Sequence, residues 1–266
     1  MLPSFVQQSS CHHCLKEDKL GFDLRMAFQP IVDLSKREVY AYEALVRGPE
    51  GQSAAWVIDR INSDNRYYFD QACRVTAIKT ASELGLKQIL SINFMPNAIY
   101  NPENCIRATL AAADHYGFDI RRIMFEVIES EQITNQQKLK QIIDHYQARG
   151  FLTAVDDFGS GYTQNDWLLK LKPNLVKLDR SLISNIDQSA DKQVKVTGIL
   201  ALAEGLGVKV LAEGVETLGE LNYLSDQGIT LFQGYLFARP ELEALPCPSW
   251  PLTQPIQTQP IQTQPI

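Results

Sequence analysis

"LRMAFQPIVDLSKREVYAYEALVRG", residues 24–48, holds two runs rich in β-branched and aromatic residues, separated only by a few polar residues around Ser35 and Lys36. Parallel neighbours in a sheet need a crossover of a dozen or more residues, so these two runs predict an antiparallel hairpin. Beyond it the rhythm changes. Helix-like stretches at 54–62 and 69–84, the second closed by Gly85, lead to the strand "QILSINF" (88–94). "PENCIRATLAAADHYG" (102–117) opens with a helix-favouring proline and closes at Gly117. "RIMFEVIE" (122–129) reads as a strand and "QQKLKQIIDHYQARG" (136–150) as a helix. "FLTAVDD" (151–157), "NLVKLD" (174–179), "VKVLAEGVE" (208–216) and "ITLFQG" (229–234) complete the strands, with helices around 165–171, 188–206 and 218–227. This alternation predicts an α/β chain, a modified TIM (β/α)8 barrel with an antiparallel first strand. An open doubly wound sheet is the structural alternative.

The 266 residues suit one large domain. The expected organisation is a flexible leader over 1–21, a barrel over 22–245, and a low-complexity tail over 246–266, where "TQPIQTQPIQTQPI" (253–266) repeats proline too often for a helix or central strand. "CHHC" at 11–14 offers ligand types for a metal, but adjacent ligands have strained geometry and no second Cys/His pair stands nearby; a leader segment is the plainer reading. With 45% hydrophobic and 21% charged residues the composition is that of a globular protein. No apolar run approaches the ~20 residues of a membrane helix, and no basic-then-apolar signal opens the chain. Five cysteines scattered over this length do not form a secreted disulfide pattern, which points to the cytoplasm. The net charge of −6 argues against a nucleic acid polymer or an anionic membrane as partner.

Polar groups recur near the C-terminal ends of the apolar runs: Glu43, Asn93, Glu126, Asp156, Lys177, Glu213 and Gln233. In a barrel those ends meet on the rim where active sites are built. A turn or cap explains any one of them; the set reads as a site. Asp156 and Asp157 are adjacent carboxylates at the edge of a buried strand, an arrangement in which either one Asp turns to water as a turn residue or positive charge is missing from the sequence. Glu43, Glu126, Asp156, Asp157 and Glu213 outnumber Lys177 and Arg47. Oxygen ligands with one amide and no Cys or His suit two hard dications, Mg2+ or Mn2+, rather than zinc. Paired ions about 3.5–4 Å apart clamp an in-line displacement at phosphorus and lower the pKa of a bound water. Calcium, larger and less demanding in geometry, is expected to permit binding and inhibit turnover.

"YEALVRG" (42–48) resembles the signature of the EAL-domain cyclic di-GMP phosphodiesterases. The resemblance continues in order through "QPIV" (29–32), "SINFMPN" (91–97), "FEVIES" (125–130), "DDFGSGY" (156–162), "VKLD" (176–179), "AEGVE" (212–216) and "QGYLFARP" (233–240). It implies a TIM barrel whose first strand is antiparallel. It implies that Glu43, Asn93, Glu126 and Asp156 hold one metal, and Asp156, Asp157 and Glu213 the other. Lys177 matches a lysine that contacts the attacking water or the scissile phosphate, so Lys177, Glu213 and Glu43 are the catalytic candidates. Gln29, Arg47 and Gln233 match substrate-binding positions, and Glu129 matches a residue that holds the loop after Asp157. The implied reaction opens one phosphodiester of cyclic di-GMP to linear pGpG without a covalent enzyme intermediate, in a chain that pairs as a homodimer through the helix at 188–206 or its neighbour. Met95, the segment Thr163, Gln164 and Asn165, and Asn174 depart from the commoner residues, and none aligns with a ligand. Two alternatives stand beside this reading: a catalytically silent cyclic di-GMP receptor, and an unrelated barrel enzyme acting on a carbonyl acid through one Mg2+.

Overall fold

Strands β1 (Arg25–Asp33) and β2 (Glu38–Arg47) form the expected antiparallel hairpin, which sets Gln29 opposite Glu43. The computed structural model describes residues 3, 20–99, 101–128, 136–159 and 164–251. Asp33 makes the reversal: its Oδ1 accepts from Ser35 N at 3.1 Å and from Ser35 Oγ at 2.6 Å, a side-chain-stabilised turn. Helices α1 (Ala54–Ile58) and α2 (Arg66–Glu83) follow, then β3 (Ile89–Asn93). The 102–117 stretch divides into α3 (Pro102–Cys105) and α4 (Arg107–His115), followed by β4 (Ile123–Ile128), α5 (Gln136–Ala148) and β5 (Leu152–Phe158). Next come α6 (Gln164–Leu171), β6 (Leu175–Leu178), a short α7 (Arg180–Ile183), α8 (Ala190–Leu206) and β7 (Lys209–Ala212). Helix α9 (Leu218–Asp226), β8 (Leu231–Phe232) and β9 (Glu241–Leu242) complete the order.

Strands β2 to β8 run parallel in sequence order, and β1 closes the barrel by pairing antiparallel with both β2 and β8. The open doubly wound alternative is thereby excluded. Strand β9, which the sequence pattern did not suggest, pairs antiparallel with β1 at Ala27 and Phe28. Residues 246–250, grouped with the tail on composition, lie against the barrel: Tyr42 Oη donates to Pro246 O at 3.1 Å, Ser249 N donates to Phe237 O at 2.8 Å, and Trp250 packs on the core. Residues 252–266, and Cys11 to Cys14, lie outside the described residues. Among the described residues no helix is long and apolar enough to cross a membrane.

Strand side chains alternate between faces, and here the alternation builds the site. Ile31, Ala41, Met124, Ala154, Leu175, Leu211 and Leu231 form a small buried cluster of their own, the apolar plug of the barrel. Their strand neighbours Val32, Tyr42, Phe125, Val155, Val176 and Phe232 belong to the main core, between barrel and helices. Two residues beyond each plug residue, the same parity delivers Glu43, Glu126, Asp156, Lys177, Glu213 and Gln233 to the inner face, nearer the C-terminal rim. Because β1 runs the other way, its contribution comes two residues before Ile31, at Gln29. A dry layer thus lies directly beneath a layer made almost wholly of charge and amide.

Candidate active site

Asp156 and Asp157 raise a problem for an ordinary strand, since adjacent residues face opposite ways. The backbone resolves it. Asp157 adopts a left-handed conformation (φ 54°) where the β5–β6 register slips between Val155 and Phe158. This bulge turns Asp157 toward the rim, and Asp157 N donates to Asp156 Oδ1 at 2.9 Å. As a result two carboxylate groups share Asp156. Oxygens of Glu43, Glu126 and Asp156 lie within 4.8 Å of one another, as do oxygens of Asp156, Asp157 and Glu213.

Lys177 sits among them with its side chain 1% exposed. Its Nζ lies 2.6 Å from Glu213, 2.7 Å from Glu126, 3.1 Å from Asp156 and 3.4 Å from Glu43. Burial works against the ammonium, but the surrounding carboxylates outweigh it and hold its pKa well above the usual lysine range. One cation does not satisfy so many acids. Desolvation, added to by Glu43 and Asp156, pushes the Glu126 carboxyl up to about 8 although Lys177 pulls it down. Desolvation and Asp156 likewise drive Glu213 well above its ordinary value, and desolvation with Asp156 and Asp179 brings Asp157 to about 6. The cluster is electrostatically short of positive charge. Its donor set, all oxygens, fits hard divalent cations.

The amides complete the layer. Asn93 Nδ2 donates to Glu43 Oε1 at 2.8 Å, and Gln233 Nε2 donates to Glu43 Oε2 at 2.9 Å and to Gln29 Oε1 at 3.3 Å. Gln29 Nε2 in turn reaches Ala238 O at 3.1 Å, tying β1 to the segment after β8. Gly234 is required beside Gln233: a Cβ there would stand 2.0 Å from Val215 O, on the loop that carries Glu213. Arg47 is half-buried at the end of β2 and its Nη1 donates to Val46 O at 2.8 Å. Burial lowers the Arg47 pKa against the smaller pull of Tyr235 and Glu43, and Arg47 makes no ion pair with Glu43. A cavity of about 410 Å³ opens beside the cluster, lined by Glu43, Leu45, Asn93, Met95 and Asp156 among others.

The structure therefore brings together Gln29, Glu43, Asn93, Glu126, Asp156, Asp157, Lys177, Glu213 and Gln233 and sets Arg47 at their edge. Glu129 and residues 160–163 lie outside the described residues. Two neighbours went unremarked in the sequence. Ser91 Oγ, fully buried, donates a short hydrogen bond to Glu126; its parity with Asn93 on β3 was legible, but a serine in a strand is otherwise unremarkable. Asp179 raises the Asp157 pKa from two residues beyond Lys177, and its side chain caps α7 by accepting from Ser181 N. Asn174, a departure from the commoner aspartate, still accepts from Thr153 N at 2.9 Å through its amide oxygen.

The sequence profile of the EAL domain matches residues 15–240. The chain belongs to the EAL domain family. A standalone versatile EAL protein from Vibrio cholerae O395, solved in a c-di-GMP-bound form, is 49% identical with a TM-score of 0.84, over 87% of this chain and 98% of that one. BlrP1 of Klebsiella pneumoniae, solved as a calcium/cyclic di-GMP complex, is 32% identical with a TM-score of 0.83, over 95% of this chain and 64% of that one; its manganese/cyclic di-GMP complex is similar in fold, with a TM-score of 0.80. The cyclic di-GMP phosphodiesterase NbdA of Pseudomonas aeruginosa PAO1 is 29% identical over 252 residues, 88% of this chain and 30% of NbdA. Across three curated relatives of this EAL domain chain, it spans 56%, 31% and 30% of their lengths.

Proposed function

We propose that this EAL domain protein hydrolyses one phosphodiester bond of cyclic di-GMP, giving linear pGpG, with two divalent cations, Mg2+ or Mn2+. The observation that carries the reading is the pair of carboxylate groups sharing Asp156 around a buried Lys177. In this reading Glu43, Asn93, Glu126 and Asp156 hold one cation, and Asp156, Asp157 and Glu213 hold the other. Bound there, the cations supply Lewis acidity toward the phosphate and a lowered pKa for the attacking water. Lys177 offers its ammonium to the phosphate oxygens as charge gathers on them; without metal, the carboxylates around it outweigh burial and hold it protonated. Gln29, Arg47 and Gln233 orient the substrate; Arg47 suits a phosphate oxygen because, among the described residues, its fork is not spent on a carboxylate. Gln233 also fixes Glu43, so one amide couples substrate position to ligand position. The apolar plug beneath excludes water from the far side and directs attack from the rim. We assign Glu129, from the family resemblance alone, the role of holding the loop after Asp157.

The catalytic unit is the barrel over 22–245, and the location the substrate implies is the cytoplasm. We place a homodimer contact on α8, where Val194 is 73% exposed on the outward face; light scattering reporting only monomer at assay concentrations would remove it. The activity is tested by incubating the full chain with cyclic di-GMP and Mg2+ or Mn2+ and separating the products. Appearance of pGpG supports the reading. Tight binding without product in either metal would make the protein a cyclic di-GMP receptor instead.

A further inference from the structure

Behind the rim lies an ion pair that no step above uses. Asp70 and Arg74, one turn apart on α2, approach to 2.7 Å with both side chains wholly buried. Arg74 Nη1 donates to Tyr146 Oη at 3.2 Å, and its guanidinium lies 5.0 Å from the ring centre of Phe125, the strand neighbour of Glu126. The other Asp70 oxygen, Oδ1, accepts from Met95 N at 3.0 Å. Met95 is two residues past Asn93, and Phe94 N between them donates to Glu126 O at 3.0 Å. Asp70 also lines the cavity that Glu43, Asn93 and Asp156 share.

A buried ion pair is weak evidence for stability, because apolar residues of similar volume often serve as well or better. This one ends on a backbone N–H that pins the chain leaving β3. We infer that Asp70 is a positioning residue for the metal site that includes Asn93: by holding Met95 N–H it fixes the segment that sets the Asn93 amide against Glu43. The inference rests on the two-metal reading above. Because the anchor is the backbone and not the side chain, it is indifferent to the methionine at position 95.

The test compares Asp70→Leu/Arg74→Met, which removes both charges together, with Asp70→Asn, which keeps an acceptor oxygen for Met95. Three quantities are measured on the full chain: Mn2+ affinity by calorimetry, kcat and KM for cyclic di-GMP, and amide exchange at Met95 in metal-free protein. In the double variant, Met95 exchange should accelerate and Mn2+ affinity fall about tenfold or more, with part of the lost kcat restored by raised Mn2+. Asp70→Asn leaves Arg74 without its counter-ion and so lowers overall stability, but in the folded protein it should keep both the protection of Met95 and the affinity near wild type. A folded double variant with unchanged Mn2+ affinity overturns the proposal. So does Asp70→Asn with Met95 protected but affinity lost, which decides the matter even where the double variant does not fold. A wild-type chain that binds no Mn2+ fails differently, by removing the two-metal reading itself.

Discussion

Lys177→Met separates the two jobs the buried lysine does. Among the described residues its ammonium is the one cation in contact with Glu43, Glu126, Asp156 and Glu213, at 2.6–3.4 Å. A unit pair about 3 Å apart is worth roughly 5 kcal/mol at an effective dielectric near 20, but the cost of burying the lysine offsets much of this. Removing one partner of a buried pair costs about 3–5 kcal/mol, and that is the expected loss for the variant at pH 8 without metal. The sign with pH follows from Glu126, which desolvation and then Glu43 and Asp156 push up to about 8 against the pull of Lys177. A folded-state pKa raised this way gives stability that is present at low pH and lost as pH rises through about 8. Without Lys177 to pull it down, Glu126 in the variant titrates higher still, so the loss should be smaller at pH 6, where the carboxyl is protonated with or without the lysine, and should grow as pH rises through about 8, where only the wild-type carboxyl ionises. Urea denaturation at the two pH values, with and without Mn2+, reads these differences. Saturating Mn2+ should restore most of the stability and leave turnover down by about 10²–10³. A variant as stable as wild type in metal-free buffer at pH 8 would refute this account of the charge balance, and full turnover would refute the catalytic role.

Glu43→Gln keeps the volume but removes a carboxylate that Asn93 and Gln233 both brace, so turnover should fall at least about 10²-fold while circular dichroism is unchanged; chromatographic product assays check it. Because Glu126 titrates near 8 and Asp157 near 6 without metal, protons compete with Mn2+, and calorimetry should show affinity rising as pH is raised from about 6 to 8 with proton release on binding. A flat profile would mean the acids are already ionised. Ca2+ in place of Mg2+ should support cyclic di-GMP binding and suppress hydrolysis, measured by pairing calorimetry with product formation. Glu129→Ala should raise the Mg2+ concentration needed for half-maximal rate and leave the melting temperature near wild type; unchanged metal dependence would make Glu129 a surface acid.

Much of this site was legible because period-two alternation is a local property. The hairpin at 24–48 followed from a connection too short for a crossover, and the polar residue after each apolar run marked the rim. Asp157 was different. Alternation alone turns it away from Asp156, and only the left-handed bulge, a consequence of the β5–β6 register slip, brings both to one face. Asp70 lay beyond reach for another reason: on α2 it looks like any acid of an amphipathic helix, and its contact with Met95 N joins residues 25 apart. Strand β9 and the packing of residues 246–250 escaped notice because two-residue pairing and a Pro-rich segment leave no periodic signal. Composition grouped that segment with the repeats it precedes. Glycine spacing was informative where backbones touch, as at Gly234, and silent elsewhere.

Every metal role assigned above turns on Asp156 being shared by two cations. Electron paramagnetic resonance of the full chain titrated with Mn2+ in the presence of cyclic di-GMP tests it most directly. Two manganese ions per chain are expected, with the spectrum of a magnetically coupled pair, and Asp156→Asn should lose the coupling. A single uncoupled ion at saturation, in protein that turns over cyclic di-GMP, would contradict it.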